Sequence, residues 1–84
     1  MSGLQFKLVR SPDKEYVKEE ILEQMKVNEF QSRIDYTDMR HSVFVESIRK
    51  MVRMREIADE ADIGFAIFFQ GPSGARYYIS NLNH

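Results

Sequence analysis

The sequence contains no cysteine, and this absence excludes several kinds of function at once. Without cysteine there is no disulfide framework, no cysteine-bound metal and no thiol nucleophile. Histidine is almost as scarce, because only His41 lies away from the C-terminus. Side chains that bind metals or act as catalytic bases are therefore few and scattered. We expect no bound metal, no organic cofactor and no enzyme activity.

Long apolar runs are also missing. The longest covers residues 65–69, whereas a helix that crosses a bilayer needs about 20 apolar residues. Residues 1–4 lack the positive charge and the apolar stretch of a secretory signal. Together, these observations predict a cytoplasmic protein that does not bind membranes.

The residues that are present are typical of one globular domain. The chain has 84 residues, of which 43% are hydrophobic and 30% are charged. This length is enough for a single core, although a small one that a partner or a second copy could extend. We therefore expect one domain that covers residues 1–84.

The net charge of −1 hides a separation of charge along the chain. Residues 12–29 hold six acidic side chains and three lysines, whereas residues 40–55 hold five basic side chains and one glutamate. This pattern predicts one acidic helix and one basic helix.

The clearest local pattern is a β-hairpin near the end of the chain. Residues 63–70 and 75–82 are rich in aromatic and β-branched side chains, which favour strands. Between them lies Gly-Pro-Ser-Gly, in which Pro72 restricts φ and Gly74 accepts a positive φ. The sequence therefore predicts two strands joined by a four-residue turn.

Four further elements are predicted before the hairpin. Apolar and polar residues alternate over 4–8 and 30–36, which indicates two strands. The group Ser11-Pro12-Asp13 is typical of a helix start, and the helix that follows extends to about residue 26. A long amphipathic helix is predicted over residues 39–61, because its apolar residues return with a helical period.

The order of elements, β-α-β-α-β-β, predicts an α+β fold. Strands joined through a helix are expected to run parallel, and two right-handed crossovers in one direction place both helices on the same face. We therefore expect a two-layer sandwich with a mixed four-stranded sheet and two helices on one face. The other face would be uncovered, although the strand over residues 63–70 is apolar on both sides.

This order of elements resembles, at the level of the fold, three groups of proteins. They are the C-terminal domain of bacterial translation initiation factor three, the Alba chromatin proteins and the TusA-like sulfur-transfer proteins. The sulfur-transfer family has a Cys-Pro pair where this chain has Ser11-Pro12, so persulfide chemistry is not implied. The other two groups bind RNA or DNA through basic faces and loops. No motif assigns the chain to any of them, and a shared topology does not transfer function.

Aromatic side chains in the hairpin predict an interaction surface. Alternation along a strand places Phe68 opposite its neighbours Phe65, Ile67 and Phe69, so aromatic surface remains on the face without helices. Exposed aromatic patches commonly mark interfaces. We therefore interpret the protein as a small regulator, inhibitor or adaptor, of prokaryotic or phage type, that binds a protein partner or forms a homodimer. The predicted contact residues are Phe68, Arg76, Tyr77 and Tyr78.

Binding of RNA or DNA is the alternative function. Basic side chains cluster on the second helix and in the loop before it. They are Arg33, Arg40, His41, Arg49, Lys50 and Arg53. However, Glu46 and Glu56 lie three residues from an arginine on the same helix face, a spacing that predicts ion pairs. A sequence pI of about 6.1 is also low for a nucleic-acid-binding domain.

Two groups of polar residues around His41 could form a metal site or a catalytic pair, but each has a simpler explanation. His41, Asp35 and Asp38 could form a small metal site, but an aspartate before a helix is more simply a cap. Ser42 follows His41 directly, and adjacent helical side chains point about 100° apart, so the two do not form a nucleophile and base pair.

Arg55 interrupts the apolar stripe of the second predicted helix. Its stem could cover apolar surface while the guanidinium pairs with Asp59, four residues further on. Alternatively, a partly buried guanidinium could face an acidic ligand or partner. The sequence leaves both interpretations open.

Overall fold

The computed structural model describes residues 6–34, 42–71 and 73–82, and in these ranges the chain is α+β. Three strands form one sheet in the order β1-β2-β3, and both pairs of neighbours are antiparallel. The elements are β1 (Phe6–Ser11), α1 (Lys14–Val27), α2 (Ser42–Glu60), β2 (Gly64–Gln70) and β3 (Arg76–Ser80). Neither helix in the described ranges combines the length and the hydropathy that a membrane span requires.

β2 is the central strand, and it is buried on both of its faces. Ile67 lies opposite Leu8 of β1 and opposite Ile79 of β3, and every residue of β2 except Gln70 is buried. A strand that is apolar on both sides is stable only when both sides are covered. The composition of β2 therefore explains its central position.

The two helices lie on opposite faces of the sheet. On one face, Val17 and Ile21 of α1 form a cluster with Val9 and with the even-numbered side chains of β2, Ala66 and Phe68. On the other face, α2 packs on the odd-numbered side chains of the same strand. The buried members of this second cluster are Ile48, Met51, Ala58, Phe65, Ile67, Phe69, Tyr77 and Ile79.

The expected two-layer sandwich with both helices on one face is therefore wrong. That expectation required parallel crossovers, but β1 pairs with β2 in the antiparallel direction. The chain moves from one face to the other between α1 and α2. As a result, both apolar sides of β2 are covered by this chain itself, and the fold-level resemblance to the three groups of proteins is not supported.

The expected fourth strand is reduced to a single bridge among the described residues. The Gln31 N–H donates to the Arg76 carbonyl at 2.8 Å, and the Tyr78 N–H donates to the Gln31 carbonyl at 3.0 Å. This parallel bridge is isolated, so the described sheet is neither mixed nor four-stranded. Phe30 packs its ring on Phe68, which anchors the segment to the sheet. Residues 35 and 36 lie outside the described residues.

The start of α1 and the hairpin are confirmed. Asp13 caps the helix, because its carboxylate accepts from the N–H groups of Glu15 at 3.1 Å and Tyr16 at 3.2 Å. In the turn, Gly74 has a φ of 91°, and the Gly71 N–H donates to the Ala75 carbonyl at 2.7 Å. Both features follow from local sequence, which is why they are predictable.

The end of α2 forms a Schellman motif that leads directly into β2. The Ile63 N–H donates to the Ala58 carbonyl at 3.0 Å, and the Asp62 N–H donates to the Asp59 carbonyl at 3.1 Å. Asp62 occupies the left-handed position with a φ of 59°, where glycine is the usual residue. Its carboxylate also accepts a hydrogen bond from Lys14 Nζ at 2.5 Å, which connects the end of α2 to the start of α1.

Candidate binding surfaces

Three of the four predicted partner-contact residues lie in the core. Phe68 is only 3% exposed, stacks on Tyr78 and lies under α1. Tyr77 is buried on the opposite face, against Phe69 and α2. Alternation did assign these aromatic side chains correctly to opposite faces, but each face carries a helix. Only Arg76 is exposed and available to a partner.

The predicted nucleic-acid contacts do not form one free basic surface in the described residues. Arg49 Nη1 lies 3.9 Å from Glu46 Oε2, and Arg53 Nη1 lies 3.6 Å from Glu56 Oε2. These contacts confirm the expected intrahelical ion pairs. Lys50 is exposed on the same helix. Arg33 is exposed in the segment after α1, whereas Arg40 and His41 lie outside the described residues.

Arg55 and the groups of residues around His41 can be placed in part. Arg55 is half-buried on α2 and forms no ion pair with Asp59. Asp35 and Asp38 lie outside the described residues together with His41, as does the side chain of Ser42. Within the ranges that the structure describes, no group of three or more acidic or histidine side chains could hold a metal ion.

The most exposed apolar side chains of the sheet lie on β1. Phe6 is 58% exposed and Leu8 is 39% exposed. They lie opposite Phe69 and Ile67, so they point to the face that carries α2. However, α2 packs on β2 and β3 and does not reach β1. None of the described helices therefore covers this strip of β1.

β1 is also an edge strand. One edge of β1 pairs with β2, and no strand in the described ranges pairs with the other edge. An open edge presents backbone N–H and C=O groups that can pair with another chain. Lys7 and Arg10 place positive charge along this strand, and β1 contains no acidic residue. We call the outer edge of β1, together with Phe6 and Leu8, the β1 edge.

Sequence reasoning missed the β1 edge. The alternating pattern near the N-terminus predicts a half-buried strand, but it does not say whether that strand is central or at the edge of the sheet. Whether α2 covers Phe6 and Leu8 depends on how the helices are placed, and that placement is not local information. The β1 edge therefore has no strong signal in the sequence.

Among the described residues, one pair of groups has pKa values that are shifted from the ordinary ones. The pKa of Asp62 is lowered, first by the hydrogen bond from Lys14 and then by the positive charge of Lys14. The pKa of Lys14 is raised by the same hydrogen bond and by the negative charge of Asp62. Both groups are exposed and lie away from the β1 edge, so this pair is best explained as a structural link between the two helices.

Known proteins offer no guide to these surfaces, because no family of proteins, no curated protein and no solved structure is significantly similar to this chain.

Proposed function

We propose that this protein is a non-catalytic module that binds an extended segment of a protein partner along the β1 edge. The observation that carries the proposal is the exposure of Phe6 and Leu8 on a strand whose outer edge is open. Addition of a partner strand would satisfy the open backbone groups, and the two apolar side chains would supply contact area. Such binding suits a regulator, inhibitor or adaptor, because it sequesters a segment of another protein.

The charge of β1 favours an acidic segment over a second copy of this chain. In the antiparallel register that pairs residues 7–10 of two β1 strands with each other, Lys7 of each strand would lie opposite Arg10 of its neighbour. Like charges across a strand pair are destabilising. Lys7 lies on the α1 face and Arg10 lies on the face of Phe6 and Leu8. A segment with an acidic residue opposite each cation and apolar residues opposite Phe6 and Leu8 would instead match the charge and the apolar groups of this edge.

The test compares two variants that place a charge on equally exposed apolar side chains. Phe6→Glu changes the β1 edge, and Leu22→Glu changes the outer surface of α1, and both wild-type side chains are 58% exposed. We expect the partner captured from nuclease-treated lysate by the wild-type chain to bind Phe6→Glu at least about tenfold more weakly, which corresponds to about 1.4 kcal/mol. Binding to Leu22→Glu should be unchanged.

Hydrogen exchange gives the direct measurement of strand addition. When the purified partner binds, we expect amides of β1 to become protected, because new hydrogen bonds form at the open edge. Unchanged exchange in β1 would contradict the proposal. Capture that nuclease abolishes and that Lys50→Gln weakens would favour the nucleic-acid alternative instead. A wild-type chain that sediments as a dimer, with β1 amides that become protected on dimerisation, would identify a second copy as the occupant.

A further inference from the structure

A cavity of about 200 Å3 opens at one end of the sheet. Most of its lining belongs to the face that carries α1, whereas Phe6 and Phe69 belong to the opposite face. At this end of the sheet, Gln24 and the C-cap residue Asn28 of α1 line the cavity together with Gln70 at the end of β2. The ring of Phe30 packs edge-to-face on Phe68, at a distance of 5.0 Å between ring centroids. The lining residues are Phe6, Lys7, Gln24, Asn28, Phe30, Phe68, Phe69, Gln70 and Arg76.

The charge of the lining is positive. Lys7 lies opposite Phe68, and Arg76 lies opposite Gln70, so both cations belong to the α1 face. None of the described lining residues carries a carboxylate. The end of α1 contributes only about half a negative charge, which is less than the charge of either cation.

Both cations are available to a ligand. Arg76 is exposed and forms no ion pair with any carboxylate that the structure describes. Lys7 Nζ lies 3.7 Å from Glu20 Oε2, and Glu20 is not part of the cavity lining. The Lys7 side chain is exposed and the Glu20 side chain is half-buried. An ion pair at this distance is weak, so Lys7 can exchange Glu20 for another anion.

We propose that this cavity binds a carboxylate that is attached to a small aromatic or aliphatic group. The carboxylate would lie between Lys7 and Arg76, where the guanidinium can donate two parallel hydrogen bonds. The apolar part would pack on the half-buried ring of Phe30 and on the small part of Phe68 that is exposed. The cavity is smaller than the roughly 300–1,000 Å3 of drug-sized sites, so a group the size of one amino-acid residue is enough to fill it.

A ligand of this chemistry has two sources, a free small acid or the C-terminal residue of a peptide. The probes are 3-phenylpropanoate for the first source and an acetylated tripeptide that ends in phenylalanine for the second. Each probe is paired with its neutral amide. NMR titration follows the side-chain amides of Gln24, Asn28 and Gln70, which report on the cavity itself. The measurement needs no protein partner, so its result is independent of strand addition at the β1 edge.

We expect saturable shifts with at least one acid and none with its amide. Arg76→Gln should weaken binding about tenfold or more, because it removes the charge-assisted hydrogen bonds to the carboxylate. Lys7→Gln should also weaken it. The matched control is Arg53→Gln, which removes an exposed arginine from α2 on the opposite face and should leave the affinity unchanged.

The outcomes separate the two sources and can overturn the proposal. Saturation by the tripeptide alone identifies a peptide C-terminus, and saturation by 3-phenylpropanoate identifies a free acid. The proposal is wrong if neither acid saturates the shifts at millimolar concentration or if the amides bind as well as the acids. It is also wrong if Arg53→Gln weakens binding as much as Arg76→Gln and Lys7→Gln do.

Discussion

The two faces of the sheet are each covered by one helix, but the helices are offset in opposite directions. α1 packs on β1 and β2, whereas α2 packs on β2 and β3. On the α1 face, the part beyond the helix is filled by Phe30 and Leu82, which pack on the buried cluster. On the α2 face, Phe6 and Leu8 of β1 remain exposed. The buried cluster on the α1 face is thus covered by this chain, whereas two apolar side chains of β1 on the α2 face are left to solvent.

This difference teaches that aromatic content alone does not identify an interface. Phe68 and Phe6 are both phenylalanines that lie near the same end of the sheet, yet one is 3% exposed and the other 58%. Their environments differ because of helix placement and not because of local sequence. A partner surface is therefore better sought where a helix leaves apolar residues uncovered.

The largest expected effect comes from placing a charge on each of these two phenylalanines. Phe68→Glu buries a carboxylate beside Val17 and Tyr78 and should reduce the free energy of unfolding by about 4 kcal/mol or more. Phe6→Glu changes an exposed side chain and should alter it by less than about 0.5 kcal/mol. Urea unfolding followed by circular dichroism measures both. Equal stability of the two variants would show that the α1 face is not closed as described.

The second expected effect concerns the close approach of α1 to β2. A Cβ added at Gly64 would lie 2.8 Å from Val17 Cγ2 and 3.3 Å from Lys14 Cα. Gly64→Ala should therefore destabilise the fold by about 1–3 kcal/mol, because α1 has to move away from the sheet. The same urea measurement tests this expectation.

A double mutant shows whether the contact with Val17 is the cause. Val17→Ala removes the methyl group that the new Cβ would meet, so the loss in Gly64→Ala combined with Val17→Ala should be smaller than the sum of the two single losses. Additive losses would mean that the strain at Gly64 arises elsewhere, for example against the backbone of Lys14.

Local parts of the fold are predictable from the sequence, whereas the pairing of distant elements is not. The helix start at Asp13, the hairpin and the alternation along β2 all depend on neighbouring residues. The antiparallel pairing of β1 with β2 joins residues about 60 positions apart, and no local pattern specifies its direction. The apolar character of both sides of β2 did indicate that each side needs cover. That the cover comes from α1 depends on the path of the chain between the helices.

For the candidate binding surfaces, too, local features are predictable from the sequence and long-range placement is not. Strand alternation correctly separated Phe68 from its neighbours on β2, but exposure depends on which helix lies above each face. The bridge at Gln31 also brings residues from distant parts of the chain together, because it joins the segment after α1 to β3. Both the β1 edge and the cavity beside Arg76 arise from such long-range placement, so neither is visible in a short window of sequence.

The smallest expected effect is a dependence of the free energy of unfolding on pH. It arises at the ion pair of Lys14 and Asp62, which links the start of α1 to the end of α2. The pKa of Asp62 is lowered by the hydrogen bond and charge of Lys14, so the folded state favours the carboxylate. The stabilisation of the folded state by the Asp62 carboxylate is complete above the pKa of an unfolded aspartate, about 3.9. It is lost as the pH falls through the lower pKa of the folded state. The pKa of Lys14 is raised by the same partner, so its contribution to stability is complete below about 10.4 and is lost as the pH rises through the higher folded pKa.

Asp62→Asn tests this link, because asparagine tolerates the left-handed backbone at this position while it removes the charge. The wild-type advantage in urea midpoint should be constant near neutral pH, shrink at both extremes and decrease with added salt, since both groups are exposed. An advantage that stays the same at pH 2 and pH 7 would show that the carboxylate of Asp62 does not stabilise the junction through its charge.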